Sequence, residues 1–186
     1  RSLKKWPRNR FFYRLVTWEK VVNHTESSSF REKLIEHLFI GELLKLSWNS
    51  TNCTLEVASP EVDNAGYDVI AEDNGILRHI QLKASYIGGK TANQKVHTRL
   101  SDKPSGCVLW IYFNEDTLEL GPFLFFGAQP GERLPSLDGL KIAKHTKGDQ
   151  DGFKAERPNI RVLPKGKFKK LQRIEEVYTA LFGATM

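Results

Sequence analysis

The chain has 186 residues, 40% of them hydrophobic and 11% aromatic, which is enough apolar material for a packed core and excludes a disordered protein. Its formal net charge is +6 and no apolar run is long enough to cross a bilayer, so the composition favours a polyanionic partner over a membrane. Two cysteines, Cys53 and Cys107, make neither a disulfide framework nor, without histidines at ligand spacing, a zinc site; reduced thiols and a cytoplasmic setting are expected.

Residues 1–29 read as a basic aromatic arm in which Lys4, Lys5, Arg8, Arg10 and Arg14 alternate with Trp6, Phe11, Phe12 and Tyr13. The arm lacks the continuous apolar core of a secretion signal, and the sequons at Asn23, Asn49 and Asn52 read as chance matches in an intracellular protein. Residues 30–186 are expected to form one domain. Its first element, FREKLIEHLFIGELLKLSW (30–48), repeats apolar residues at three- and four-residue steps behind Ser27, Ser28 and Ser29, the pattern of a capped amphipathic helix. At about 100° per residue, Leu34, Ile35, Leu38, Phe39 and Leu46 share one stripe. Glu42 falls in the middle of it, Glu32 near an edge, and Glu36 far off it. A carboxylate in a core-facing stripe is costly unless paired. Glu42 therefore either meets a buried Arg or Lys or faces a polar site.

CTLEVAS (53–59) reads as a strand. DVIAE and ILRHIQL then flank Asn74-Gly75, the residue pair that a two-residue type I′ hairpin turn favours. In that register Asp73 pairs with Ile76, and Asp68 lies opposite Gln81. Cross-strand partners share a face, and so do residues two apart. Asp68, Gln81 and Lys83 thus project from one face, while Tyr67, Val69, Ile80 and Leu82 project from the packed one. Such a polar face is often just a solvated surface; a carboxylate from the preceding helix would make it a site. His79 shares the face and reads more readily as structural than catalytic.

GGKT (88–91) resembles the end of a phosphate-binding loop, but Ala84 stands where that motif needs its first glycine. Residues 91–100 are expected to form a short helix, and CVLWIYF (107–113) a buried strand. LELGPFLFFG (118–127) adds a strand or hairpin. Gly and Pro punctuate residues 130–167, which are expected to be long loops. KKLQRIEEVYTALFG (169–183) closes as a helix with Gly183 as its C-cap. Between residues 141 and 173, eleven Lys and Arg stand against three Asp and Glu. Lys165, Lys167, Lys169 and Lys170 there, with Lys90, Lys95 and Arg99 earlier, are candidate phosphate contacts.

A helical Glu42, Asp68 on one strand and Gln81-Leu82-Lys83 on the next together resemble the PD-(D/E)xK nuclease superfamily, in the style of its Holliday-junction resolvases and restriction-type enzymes. The resemblance covers about residues 30–113. It implies a restriction-endonuclease-like α/β fold with an αβββαβ core, a mixed sheet flanked by helices, to which a C-terminal hairpin, loops and helix are added. It also implies an endonuclease that hydrolyses DNA phosphodiesters with magnesium or manganese. Asp68, the Gln81 amide oxygen, the Leu82 backbone carbonyl and Glu42, directly or through water, would hold the metal. Lys83 would orient the attacking water. The chain departs from the family pattern at Gln81, where an acid is usual, leaving one fewer charge for the cation. Two alternatives stay open: an inactive nucleic-acid-binding module on the same fold, with Gln81 as the trace of the loss, and an RNA nuclease. Cutting both strands from one site per chain would call for a homodimer or larger assembly.

Overall fold

The computed structural model describes residues 28–50, 53–62, 65–148, 150 and 152–183; the basic aromatic arm lies outside them except for its last two residues, 28 and 29. The first helix, α1, spans Ser28–Ser50. Strands β1 (Glu56–Ala58), β2 (Val69–Asp73) and β3 (Ile76–Tyr86) follow, then β4 (Asn93–His97), a 3₁₀ turn over Thr98–Asp102, and β5 (Gly106–Phe113). Next come β6 (Leu120–Gly127), β7 (Ile142–Lys144), β8 (Glu156–Pro164), β9 (Lys169–Leu171) and helix α2 (Ile174–Phe182). Six strands form a mixed sheet in the order β1-β2-β3-β5-β6-β9, and three form a second sheet in the order β4-β8-β7. Among the described residues only β3 and β5 run parallel; their ladder covers eight residue pairs from His79–Gly106 to Tyr86–Phe113.

The hairpin has the register read from Asn74-Gly75. Both turn residues have positive φ, 50° and 80°, and the ladder pairs Val69 with Ile80 and Asp73 with Ile76. Strand alternation then sends Val69, Ala71, Ile80 and the odd-numbered residues of β5 toward α1 and α2, where they form the larger core with Phe39, Leu43, Val177 and Leu181. The opposite face of the large sheet is also covered. Val108 and Phe126 meet Val96 and Leu163 of the second sheet there, so the polar face of the hairpin is not a solvated surface. Tyr67 precedes the ladder and turns away from Val69, packing its ring edge-on against His79 at a centroid distance of 4.8 Å.

Three expected elements differ. Residues 91–100 are not a helix: Val96 is fully buried while Asn93 and Lys95 are exposed, the period of a strand, and β4 pairs with β8 from Asn93–Pro164 to His97–Ile160. Residues 130–167 are not only loops, because they contain β7 and β8. Pro158 is accommodated where the register between these strands shifts, Ile142 facing Arg161 but Ala143 facing Arg157, so no ladder donor is missed. The closing helix starts at Ile174 rather than Lys169, since Leu171 is buried in β9 against Phe123. The Glu176 carboxylate accepts the backbone N–H of Gln172 at 3.0 Å and caps that start. At the other end Gly183, with φ 87°, donates its N–H to the Thr179 carbonyl at 2.8 Å, as its C-cap position anticipates.

Arg78 ties β3 to this last helix. Its side chain is fully buried on the helical face; Nε donates to the Leu181 carbonyl at 2.6 Å and Nη2 to those of Ala180 and Ala128 at 2.9 and 3.2 Å. A guanidinium at a helix C-terminus satisfies carbonyls that have no intrahelical donor and sits at the negative end of the dipole. Burial lowers its pKa, and the Cys107 thiol and Glu132 raise it in part. Arg78→Met is expected to cost about 2–4 kcal/mol by leaving buried carbonyls unpaired, read as a lower urea midpoint. A loss below about 1 kcal/mol would mean that packing alone holds α2 in place.

Candidate active site

Strand β3 is longer than its partner β2. The ladder ends at Val69–Ile80, and one further backbone bond, from the Asp68 N–H to the Ile80 carbonyl at 2.9 Å, closes it. Beyond that point the Asp68 carboxylate replaces the strand: its Oδ2 accepts the Leu82 N–H at 2.6 Å. N–H and C=O of one strand residue point to the same edge, so the Leu82 carbonyl faces the same opening as Asp68. The opening is a cleft of about 290 Å³ lined by Glu32, Ile35 and Glu36 of α1, Asp68, the β3 segment Leu82, Lys83 and Ala84, and Gln94 of β4. The loop before Asp68 passes close to β4 at Gly66, whose φ is 76° and where a Cβ would come within 2.3 Å of His97 Cβ. Only glycine allows that approach.

Asp68, Leu82 and Lys83 therefore meet at one opening. Gln81 is opposite Asp68 but turned under the second sheet: it is buried, lies outside the cleft lining, and its Oε1 has no hydrogen-bond partner. His79 is structural, as its sequence context favoured; Nδ1 lies 2.8 Å from the Pro104 carbonyl, to which it donates.

Glu42 does not reach the cleft. Its side chain is 39% exposed and pairs with Lys45 at 2.6 Å on the surface of α1. The acid that α1 brings to the cleft is Glu36, 7% exposed, with Glu32 one turn before it. The stripe of Leu34, Ile35, Leu38, Phe39 and Leu46 lies to one side of the face that the helix buries. The face α1 buries runs through Ile35, Glu36, Phe39, Leu43 and Ser47, whereas Phe30, Leu44 and Trp48 are exposed. Leu34, Leu38 and Leu46, half-buried on the side of the helix that carries Glu42, draw a hydrophobicity wheel toward it, while the polar Glu36 and Ser47 hide the other side of the buried face. The usable signal was the Ile35, Phe39, Leu43 spacing, which sets Glu32 and Glu36 beside it.

Lys33 Nζ donates to both Glu36 oxygens, at 3.0 and 2.9 Å. Its pKa is raised, first by that hydrogen bond, against desolvation, and then by the charges of Glu36 and of Asp68. Two carboxylates thus act on one ammonium at the mouth of the cleft. Among the described residues no three His, Cys, Asp or Glu side chains are gathered to hold a metal ion. The oxygen donors that line the cleft are the carboxylates of Glu32, Glu36 and Asp68, the Gln94 amide and the Leu82 backbone carbonyl, with the unpartnered Gln81 amide oxygen outside the lining.

The basic residues divide by position. Lys90, Lys95 and Arg99 are exposed near β4, with Lys95 on the strand face opposite Gln94. Lys165 and Lys167 belong to a 3₁₀ turn after β8, and Lys169 and Lys170 to β9 at the far edge of the large sheet; all four are exposed.

No family model matches the chain, and no curated protein does. Among solved structures the chain is similar to the bacterial homing endonuclease I-Ssp6803I, at 23% identity over 56% of this chain and 66% of that one, with a TM-score of 0.34. The chain thus spans just under two thirds of that protein, and the cleft must be read from its own residues.

The Lys33 ammonium reports on the cleft. In a side-chain NMR titration above about pH 10, Glu36→Gln should bring the Lys33 pKa back toward its ordinary value and Asp68→Asn should do so to a smaller extent. Glu42→Gln should leave it unchanged. A shift in the Glu42 variant alone would mean that the helix presents its other acid.

Proposed function

We propose that the chain is a divalent-metal-dependent nuclease that hydrolyses DNA phosphodiester bonds at this cleft. The observation that carries the reading is the meeting of Asp68, Glu36, Lys83 and the Leu82 carbonyl at the one stretch of β3 that β2 leaves open. Magnesium and manganese take hard oxygen ligands and are often held by only one or two carboxylates, with water and phosphate completing the shell. The donor set fits such an ion. Asp68, Glu36 and the Leu82 carbonyl would hold it, and the idle Gln81 Oε1 is a neutral acceptor on the residue just past the Val69–Ile80 pair that ends the ladder. A bound ion would supply Lewis acidity toward the phosphoryl oxygen and acidify water.

The remaining steps belong to the chain. Lys83 projects from the face opposite Leu82 and presents a compact cation at the cleft, suited to orient the attacking water and to offset the charge that develops on the phosphoryl oxygens. The Leu82 N–H fixes the Asp68 carboxylate, so the acid is set before substrate arrives. Glu36 replaces Glu42 in this reading because it is the α1 acid that lines the cleft. The exposed lysines provide phosphate contacts without sequence choice.

The test incubates the full chain with plasmid, linear duplex, single-stranded and four-way-junction DNA in magnesium, manganese or EDTA. Asp68→Ala and Lys83→Ala should each lower cutting by about a hundredfold or more while DNA binding persists. Glu36→Gln should lower it by roughly tenfold or more, and Glu42→Gln should leave it within about twofold. Gln81→Glu should keep or raise it. Metal-dependent cutting that survives Asp68→Ala would overturn the assignment; binding without cutting on every substrate would favour the inactive module on the same fold, and cutting of RNA alone would move the substrate class.

A further inference from the structure

The lysines that follow β8 form one block in sequence, but the fold sends them to two places. Lys169 and Lys170 ride on β9, separated from β3 by β5 and β6. Lys165 turns back toward the cleft side. Its backbone N–H donates to the Ala92 carbonyl, just before β4, at 2.9 Å. Its ammonium lies 5.0 Å from the ring centroid of Tyr112 and 5.9 Å from that of Trp110. In the parallel ladder Trp110 pairs with Lys83 and Tyr112 with Ser85, so both rings lie on the face from which Lys83 projects. With strands about 4.8 Å apart and a rise of about 3.3 Å per residue, the Tyr112 backbone is about 8 Å from that of Lys83. Lys165 thus lies on the same sheet face as Lys83, over the aromatic pair of the neighbouring strand.

We propose that Lys165 binds a DNA backbone phosphate flanking the one that Lys83 faces, and so sets how the strand enters the cleft; this rests on the nuclease reading above. The chemistry points to phosphate rather than base. Trp110 is fully buried and Tyr112 7% exposed, so neither ring can stack on a nucleobase. Trp110 is further fixed by donating Nε1–H to Ser85 Oγ at 3.0 Å. What the rings can do is hold an ammonium over their faces. Among the described residues no carboxylate pairs with Lys165, so its N–H donors remain available to an anion. An ammonium positioned by aromatic faces loses less freedom on binding than an ordinary surface lysine, which is why this one residue should matter more than its neighbours in the run.

The experiment measures anisotropy of a labelled mixed-sequence duplex of about 20 bp binding to the full chain in EDTA, between about 50 and 200 mM salt. Lys165→Gln is expected to weaken binding roughly three- to tenfold and to reduce the slope of log affinity against log salt by about one, with Lys165→Arg near wild type. Combined with Lys83→Gln, its effect should depart from the product of the single changes by more than about twofold, because both cations act on one short stretch of strand. Combined with Lys170→Gln it should multiply. Wild-type affinity and slope in Lys165→Gln, or simple multiplication with Lys83→Gln, would overturn the proposal. A wild-type chain that still cuts DNA under Asp68 control would then leave the nuclease reading standing, whereas a wild-type chain that binds no nucleic acid would remove both.

Discussion

The cleft exists because, past Ile80, β3 is held by a strand on one side only. Its parallel ladder to β5 runs unbroken from His79 to Tyr86, which keeps the strand straight and its alternation intact well past the point where β2 ends. On the other edge, backbone pairing stops at Asp68 and a side-chain carboxylate takes the next N–H. A strand edge normally invites another strand. Here the acid occupies the first open donor, α1 closes one face and β4 the other, and what remains is a short open stretch of β3. The placement of Asp68, Leu82 and Lys83 at one opening depends on that mismatch in strand length.

The hairpin was legible in the sequence because its register is fixed by two adjacent residues. Asn74 and Gly75 both need positive φ, so the turn, and with it the relation between Asp68 and Gln81, follows from local stereochemistry. Helix α1 was legible as a helix but not in its rotation. Which face a helix buries is decided by what packs on it, and α1 buries Glu36 and Ser47 while leaving Leu44 and Trp48 exposed. Ser47 is accounted for by the Leu55 N–H, which donates to its Oγ at 3.2 Å; Glu36 is held by Lys33. Neither partner can be inferred from periodicity. The second sheet was missed for a related reason: β4 and β8 lie far apart in sequence, β4 has only five residues, and β8 opens on four exposed ones, Glu156, Arg157, Pro158 and Asn159, so their pairing is purely tertiary.

That second sheet changes what the basic residues mean. In sequence, the lysines after β8 are a single cluster, for which a solvated surface is a sufficient reading. In the fold, the turn that hooks to Ala92 carries Lys165 over Trp110 and Tyr112, while β9 carries Lys169 and Lys170 away. Charge density alone gives non-specific affinity; it is the placement of individual cations relative to the cleft that can orient a strand. The burial of Trp110 beneath Lys165 also explains an aromatic residue in a position where periodicity predicts only a core contact.

Buried polar groups give the sharpest distinction between what holds this fold and what it could do. Asp73 is 1% exposed, yet Thr54, Tyr178 and Asn74 all donate to its carboxylate, joining the hairpin turn to α2. Arg78 spends three hydrogen bonds on backbone carbonyls and leaves only Nη1 idle. His79 is satisfied by Pro104. These groups have structural employment that accounts for their burial. Gln81 does not: its Oε1 is left without a donor in the strand position opposite Asp68, at a cost of roughly 1–3 kcal/mol. Gln81 thus stands apart from Asp73, Arg78 and His79, because its burial is not matched by a hydrogen bond at Oε1.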